Sequence, residues 1–124
     1  MPRRSLALSL TAALAVMSGA FATPAQAASG SLSVRNYGGY VARFTVAYDL
    51  HGTRQSEDSG DFTLGVNKQV AVPDGATNID LKVEEYWLPG LLTTIFTKHF
   101  NTPETRCYRI HGTTLAPGYE ETSC

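Results

Sequence analysis

The sequence has no excess of basic residues, and this absence excludes one large class of partner. Arg3 and Arg4 lie in an N-terminal apolar segment without acids, and beyond them eight basic side chains face eleven acidic ones. The net charge of residues 28–124 is therefore −3. Because nucleic acids and anionic lipids are bound largely through clustered Lys and Arg, nucleic acid is not an expected partner.

The sequence also lacks the short motifs of common enzymes: a G-x-S-x-G nucleophile elbow, a P-loop, a dinucleotide fingerprint and H-E-x-x-H. His51, His99 and His111 have no second ligand at a short fixed offset, so no metal or other cofactor is predicted. Adjacent acids such as Glu84 and Glu85 are interpreted as solvated surface charge, because neighbours on a strand point to opposite faces. We expect no catalytic residues; the remaining enzyme hypothesis is a hydrolase assembled from distant residues.

The first 27 residues are predicted to be a secretory signal peptide. They combine a basic start at Arg3 and Arg4, an apolar run over residues 6–22 and a small-residue cleavage site, Ala25-Gln26-Ala27. A permanent anchor is the alternative, although a spanning helix needs ~20 mostly apolar residues and polar residues interrupt this run. We expect a secreted, extracellular protein in which residues 28–124 form a single domain.

Cysteine is scarce. Both cysteines, Cys107 and Cys124, lie in the exported part. Two thiols of a small domain in an oxidising compartment usually pair, so a disulfide that pins the C-terminal tail is predicted. A free redox or metal-binding pair is the alternative, but the spacing matches neither C-x-x-C nor a zinc pattern.

Segments of helical period are almost absent, and apolar residues alternate with period two instead. The clearest strand contains Tyr40 to Leu50, while residues 51–60 are polar and are predicted to form a long exposed loop. The other predicted strands lie around residues 32–34, 62–64, 70–72, 79–83, 93–100 and 106–111, the last of these ending the fold. About seven to eight short strands predict an all-β protein, an antiparallel β-sandwich.

One turn carries large apolar side chains where a soluble protein usually places polar ones. Trp87, Leu88, Leu91 and Leu92 flank the pair Pro89-Gly90. Contiguous exposed apolar surface marks interaction sites, so this turn is a candidate membrane or partner contact. The alternative is that these side chains fold back and cover the end of the core.

Three stretches resemble, in the same order, the C-terminal membrane-recognition domain of the thiol-activated, cholesterol-dependent cytolysins. Residues 38–49 are similar to the family's Gly-Ala-Tyr-Val-Ala-Gln-Phe followed by Val-Ser-Trp-Asp, and residues 73–83 to the strand that leads to its tryptophan-rich undecapeptide. Residues 110–117, Ile-His-Gly-Thr-Thr-Leu-Ala-Pro, resemble its Ile-Trp-Gly-Thr-Thr-Leu-Tyr-Pro. The resemblance implies a β-sandwich whose loop tips touch a membrane.

The resemblance also implies roles for single residues. Thr114 and Leu115 match the family's sterol-recognition pair, in which a hydroxyl bonds the sterol hydroxyl and a leucine enters the acyl region, and Gly39 matches another membrane-contacting loop tip. Tyr86 stands where the family has its cysteine, so thiol activation is not expected. Trp87 is the one tryptophan of the stretch that matches the undecapeptide. The pore-forming domains of the family have no counterpart, so pore formation is not expected.

From the residues and the resemblance we expect a secreted, non-enzymatic binding module that recognises a sterol-containing membrane surface through loop tips. One inserted Leu contributes about 1.5–3 kcal/mol, so binding by a monomer should be weak. The alternative is a protein-binding or glycan-binding, inhibitor-like sandwich that has lost sterol recognition. The expected contact residues are Gly39, Trp87, Leu88, Leu91, Leu92, Thr114 and Leu115.

Overall fold

The computed structural model describes residues 28–124, which form eight β-strands. The predicted signal peptide lies outside the described residues. Within this range the structure contains no helix with the length and hydrophobicity of a membrane span. The strands are β1 Ala28–Asn36, β2 Ala42–Leu50, β3 Thr53–Asp58, β4 Asn67–Pro73, β5 Thr77–Leu88, β6 Leu91–Phe100, β7 Thr105–Thr113 and β8 Ala116–Thr122.

The strands form two four-stranded sheets, which confirms the predicted β-sandwich. The first sheet has the order β4-β1-β7-β8 and the second the order β3-β2-β5-β6. All neighbouring strands are antiparallel except β1 and β7, which pair in parallel from Ser31–Thr105 to Asn36–Ile110. The parallel pair makes β1 and β7 end on the same side of the molecule.

The alternation in β2 arises because one face of the strand packs against the other sheet. Its even-numbered residues are buried, whereas its odd-numbered residues are partly exposed on the outer face. Inward-facing residues of β1, β4, β5, β6 and β7 complete one continuous core. The buried hydrophobic side chains of the strands include Leu32, Val34, Phe44, Val46, Val72, Leu81, Val83, Phe96, Tyr108 and Ile110.

The prediction of a long loop over residues 51–60 is wrong. Thr53–Asp58 forms β3, an edge strand that pairs with β2 along its whole length. Every residue of β3 is exposed, so it has no buried face to impose an apolar alternation. Backbone pairing with β2 holds this strand, and side-chain pattern cannot reveal pairing of that kind.

Two other strand predictions also need correction. Phe62 is buried but makes only an isolated bridge to Ala42, and Leu64 lies in an exposed turn instead of a strand. The strand predicted at residues 106–111 does not end the fold, because Ala116–Thr122 returns as β8. No residue of β8 is fully buried, which again removes the alternation.

Four connections meet at one end of the sandwich, which we call the tip end. They are residues 37–41, residues 59–66, and the hairpin turns at residues 89–90 and 114–115. Backbone hydrogen bonds join them: the amide of Gly39 donates to the carbonyl of Gly112 at 3.0 Å, and the amide of Tyr86 to the carbonyl of Val41 at 2.9 Å. Residues 51–52, 74–76 and 101–104 form the opposite end.

Candidate functional site

Exposed apolar side chains are concentrated at the tip end. In the described part of the chain, nine large hydrophobic side chains are exposed, and eight of them lie on the four tip-end connections or the strand ends beside them. The ninth, Tyr119, stacks on the ring of Phe96 with 3.9 Å between centroids. We call the eight the tip surface: Tyr37, Leu64, Val66, Trp87, Leu88, Leu91, Leu92 and Leu115.

The hairpin between β7 and β8 presents the predicted sterol-recognition pair. Thr113 pairs with Ala116, so that Thr114 and Leu115 form a two-residue turn. Leu115 is 86% exposed, and Thr114 is half-buried. Gly112, which precedes the turn, has a φ of +92°, and a Cβ at this position would collide with the carbonyl oxygen of Ala116. The hairpin therefore requires glycine at position 112.

The hairpin between β5 and β6 carries the apolar turn. Leu88 pairs with Leu91 across Pro89-Gly90, and Gly90 adopts a φ of +79°. The side chains of Trp87, Leu88, Leu91 and Leu92 are between 37% and 49% exposed. They do not cover the end of the core, which was the alternative interpretation of this turn.

Buried Asn36 fixes the two connections that cross between the sheets. Its side-chain amide donates to the carbonyls of Tyr40 at 2.8 Å and Phe62 at 3.2 Å, and its side-chain oxygen accepts from the amide of Gly38 at 2.7 Å. These bonds tie residues 37–41 to residues 59–66. Gly39 is exposed at the tip end, with open space where a Cβ would lie.

Tyr40 joins the two sheets beneath the tip surface. Its hydroxyl donates to the carbonyl oxygen of His111 on β7 at 2.7 Å. Burial, and after it the charge of the nearby Glu85, raise the pKa of Tyr40 to about 12. The hydroxyl therefore stays protonated at ordinary pH and keeps its role as a donor.

Glu85 is buried, so the interpretation of Glu84 and Glu85 as a pair of surface acids is wrong for this residue. Its side chain is 1% exposed, and its Oε1 atom has no hydrogen-bond partner in the described part of the chain. Burial raises the pKa of this carboxyl. Glu85 is odd-numbered like the inward-facing Leu81 and Val83. The alternation along this strand therefore already indicated that Glu85 points into the core.

Sequence reasoning missed three residues of the tip surface: Tyr37, Leu64 and Val66. The predicted strand at residues 62–64 placed Leu64 in regular structure, whereas it is 62% exposed in the turn that contains Gly65. The amide of Gly65 donates to the backbone carbonyl of Asn36 at 2.6 Å, which holds this turn at the tip end. Gly65-Val66-Asn67 has the composition of a turn, and this signal could have placed its apolar neighbour Leu64 in an exposed connection.

Arg43 connects the apolar hairpin to the crossing loop on the outer face of the second sheet. One guanidinium nitrogen, Nη1, donates to the hydroxyl of Tyr86 at 3.1 Å. The other nitrogens form ion pairs with Asp58 at 3.1 Å and Asp61 at 3.6 Å. Arg43 therefore braces the base of the hairpin against the start of residues 59–66.

Tyr86→Phe is expected to lower the free energy of unfolding by about 0.5–1.5 kcal/mol, because it removes the hydrogen bond from Arg43 and leaves the ring in place. Urea unfolding measures the change. Tyr37→Phe is the matched control, since the Tyr37 hydroxyl makes no hydrogen bond to another described residue. Equal stability of the two variants would contradict the bracing role of Arg43.

Residues 28–124 contain no cluster of three or more His, Cys, Asp and Glu side chains able to hold a metal ion. His99 lies on the outer face of the second sheet, where its Nδ1 is 2.7 Å from Oδ1 of Asp80. This hydrogen bond raises the pKa of His99 and lowers that of Asp80. Both groups are half-exposed, so the pair resembles an ordinary surface ion pair.

The predicted disulfide is present. Cys107 of β7 is bonded to Cys124, with 5.3 Å between the Cα atoms, and no described cysteine is free. The bond attaches the C-terminal tail to the strand that continues into the Thr114–Leu115 turn.

The fold and the position of the tip surface define a class of protein: an all-β sandwich with its exposed apolar side chains at one end. Residues 31–118 match the family model of the thiol-activated cytolysin β-sandwich domain. The chain belongs to this family, as the sequence resemblance indicated. The family description names a cytolysin domain and no enzymatic activity. Comparison with curated proteins gave no match.

Solved structures with this fold include several cytolysins. The membrane-binding domain of pneumolysin is 21% identical with a TM-score of 0.60, and the match covers 77% of this chain and 96% of that domain. Listeriolysin O is 22% identical with a TM-score of 0.58, over 77% of this chain and 22% of its own. Suilysin from Streptococcus suis is 22% identical with a TM-score of 0.55, over 76% and 23%. At these identities the likeness shows the fold, and the chain spans about a quarter or less of the two full-length toxins.

Proposed function

We propose that the tip surface binds membranes and recognises sterol within them. The observation that carries this proposal is the concentration of eight exposed large hydrophobic side chains at one end of the sandwich. The opposite end, at residues 51–52, 74–76 and 101–104, exposes none in the described chain. The pneumolysin domain that shares the fold is described as membrane-binding, which supports the same use of this end.

The Thr114–Leu115 turn is the proposed sterol contact. Leu115 is the most exposed of the large hydrophobic side chains, so its transfer into lipid would remove almost its whole apolar surface from water. The Thr114 hydroxyl can both donate to and accept from a sterol hydroxyl. Leu115 then supplies affinity, and Thr114 supplies preference for a hydroxylated ligand.

The other members of the proposed contact set lie on the other tip-end connections. Trp87 and the exposed leucines of the apolar hairpin enter the interface beside β5 and β6, and Leu64 and Val66 enter at the opposite edge of the sandwich, where β3 connects to β4. Gly39 allows the membrane to approach its backbone closely, because glycine has no side chain and open space lies where a Cβ would project. Trp is favoured at membrane interfaces because most of its ring is apolar while its N–H can donate a hydrogen bond to water or a headgroup.

Charge plays little part in the proposed contact. The tip surface contains no charged side chain, and residues 28–124 carry a net charge of −3. Binding should therefore not require anionic lipids and should change little with salt, unlike binding through clustered Lys and Arg. Full burial of a Leu contributes about 1.5–3 kcal/mol, so two or three inserted leucines give about millimolar to micromolar affinity after ordering costs.

Sedimentation with phosphatidylcholine vesicles, with and without cholesterol, tests the proposal. Leu115→Ala is expected to weaken binding about tenfold to both vesicle types, because the apolar surface that Leu115 places in the lipid is lost. Thr114→Val keeps the shape of the side chain and removes the hydroxyl, so it should abolish the preference for cholesterol vesicles. Thr102→Val makes the same change at the opposite end and should have no effect.

Two outcomes would reject the proposal. Absence of pelleting with either vesicle type at high micromolar protein would exclude membrane binding by this surface. Equal pelleting with the two vesicle types, unchanged in Thr114→Val, would exclude sterol recognition and leave a general membrane contact.

A further inference from the structure

A polar groove lies on the outer face of the first sheet, and Tyr37 is the one member of the tip surface that lines it. Its volume is about 490 Å³, within the range of small-molecule sites. Ser31 and Ser33 of β1 form the floor, Asn67 and Gln69 of β4 form one wall, and the tail at Thr122 to Cys124 forms the other. Tyr37 lies at the end of the groove that faces the tip surface.

The groove is held in shape by covalent and backbone bonds. The Cys107–Cys124 disulfide fastens the tail over β7, and the Ser33 hydroxyl donates to Sγ of Cys107 at 3.1 Å. Strand β1, which forms the floor, pairs with β4, which forms the wall of Asn67 and Gln69. In this pairing Gln69 lies directly opposite Ser33. A preformed groove loses little conformational entropy when it binds a ligand.

The lining is rich in groups that hydrogen-bond hydroxyls. Besides the backbone it offers the amides of Asn67 and Gln69 and the hydroxyls of Ser31 and Thr105, none of which bonds another described side chain or carbonyl. Amides and hydroxyls can donate and accept at the same time, as a ligand with several neighbouring hydroxyls requires. The ring of Tyr37, half-exposed with Arg109 5.5 Å from its centroid, adds one flat apolar surface.

The charge of the lining side chains is positive. Arg35 and Arg109 line the groove, and no Asp or Glu side chain does. Arg109 is paired with Glu120. Of the five arginines in residues 28–124, Arg35 is the one without a carboxylate partner in the described chain, and its one side-chain hydrogen bond goes to the carbonyl of Gly65 at 3.3 Å. Its remaining N–H groups can hold a carboxylate in a bidentate manner.

We propose that this groove binds an acidic oligosaccharide, with the sugar hydroxyls on the Asn67, Gln69 and Ser31 side chains and the acid group on Arg35. The Tyr37 ring packs against the apolar face of a sugar ring. An apolar ligand would leave the amide and hydroxyl groups of the lining without partners, which disfavours it. The groove opens beside the tip surface, so a saccharide attached to a membrane surface could reach it while the tip is in contact with lipid.

A titration of the ¹⁵N-labelled protein with sialyllactose, and with lactose as its neutral counterpart, tests the assignment without any lipid. Sialyllactose should shift the side-chain amide resonances of Asn67 and Gln69 with a Kd of about 1 mM, and lactose should bind about tenfold more weakly. Arg35→Gln should remove this difference. Gln69→Ala should weaken both sugars.

Two matched variants separate binding in the groove from a general effect of surface charge and from binding at the tip surface. Lys68→Gln removes one positive charge from the same edge of the sheet but does not line the groove, so it should leave both titrations unchanged. Leu115→Ala should impair vesicle sedimentation and leave sugar binding intact, so that failure of the groove and failure of the membrane proposal are distinguishable. The assignment is overturned if neither sugar shifts the groove resonances at about 20 mM, or if Lys68→Gln acts like Arg35→Gln.

Discussion

Replacement of Cys107 and Cys124 together by serine is expected to lower the free energy of unfolding by about 3 kcal/mol. The disulfide closes a loop with a sequence separation of 17, which restricts the unfolded chain. Without it, the two-stranded pairing of β8 with β7 must hold the C-terminal edge of the first sheet, and no residue of β8 is fully buried. Urea unfolding of the variant and of the wild type measures the loss.

The disulfide can also be broken in the wild-type protein, without any substitution. Addition of a reductant to the wild type should reproduce the destabilisation, whereas Ser123→Ala, next to the bond, should leave the urea midpoint unchanged. A loss below about 1 kcal/mol would mean that the pairing of β7 and β8 fixes the tail without the bond. In that case the groove wall would also survive reduction, and sugar binding would not depend on the disulfide.

Glu85→Gln is expected to raise the free energy of unfolding at neutral pH by about 1–2 kcal/mol. The carboxyl group is 1% exposed, and one of its oxygens has no partner in the described residues. Glutamine has nearly the same shape and carries no charge, so the variant avoids the cost of burying a charged group.

The pH dependence of this gain follows from the direction of the pKa shift. Burial raises the pKa of Glu85, so the folded protein holds the proton more tightly than the unfolded chain does. The cost of the charged form is absent below the ordinary pKa of a glutamate, grows as the pH rises through the raised pKa, and is complete above it. The stability advantage of Glu85→Gln should therefore shrink as the pH is lowered through this window.

Unfolding curves over a pH series and a tyrosine titration check this prediction. Glu84→Gln is the control, because Glu84 faces outward on the same strand with Lys82 at 3.6 Å, and it should give no gain at any pH. Removal of the Glu85 charge should also lower the pKa of Tyr40 from about 12, since Glu85 contributes to that shift after burial. A pH-independent gain, with Tyr40 unchanged, would show that the effect of Gln is one of packing.

The sequence predicted those strands that have one face in the core and one face towards solvent. The strand that contains Phe44 and Val46 was confirmed because its alternation reports one buried face. The prediction failed for β3 and β8, in which backbone pairing to a neighbour defines the strand and no side chain alternates in burial. It also failed for Leu64, because an apolar residue in a turn has the same appearance in a sequence as one in a strand.

The candidate site divides in a similar way. The Thr114–Leu115 turn was predicted because residues 110–117 resemble a known family. The structure adds that Gly112 before it has a φ of +92°. The groove was not visible, since Asn67, Arg35 and the tail come together from separate strands and a terminus. No short sequence pattern predicts contacts between side chains when those contacts depend on the order of the strands in a sheet.

The amino-acid sequence by itself determined the class of this protein: two-faced strands, a disulfide pair and turns whose glycine and proline residues fix the hairpins. Only the tertiary structure decided that the apolar turn, the Thr114–Leu115 turn and Leu64 lie at one end. The physical reason is the parallel pairing of β1 with β7 together with the joining of β2 to β5, which directs all four tip connections to the same side. Side-chain periodicity records which face of a strand is buried, but strand order and direction arise from long-range backbone pairing.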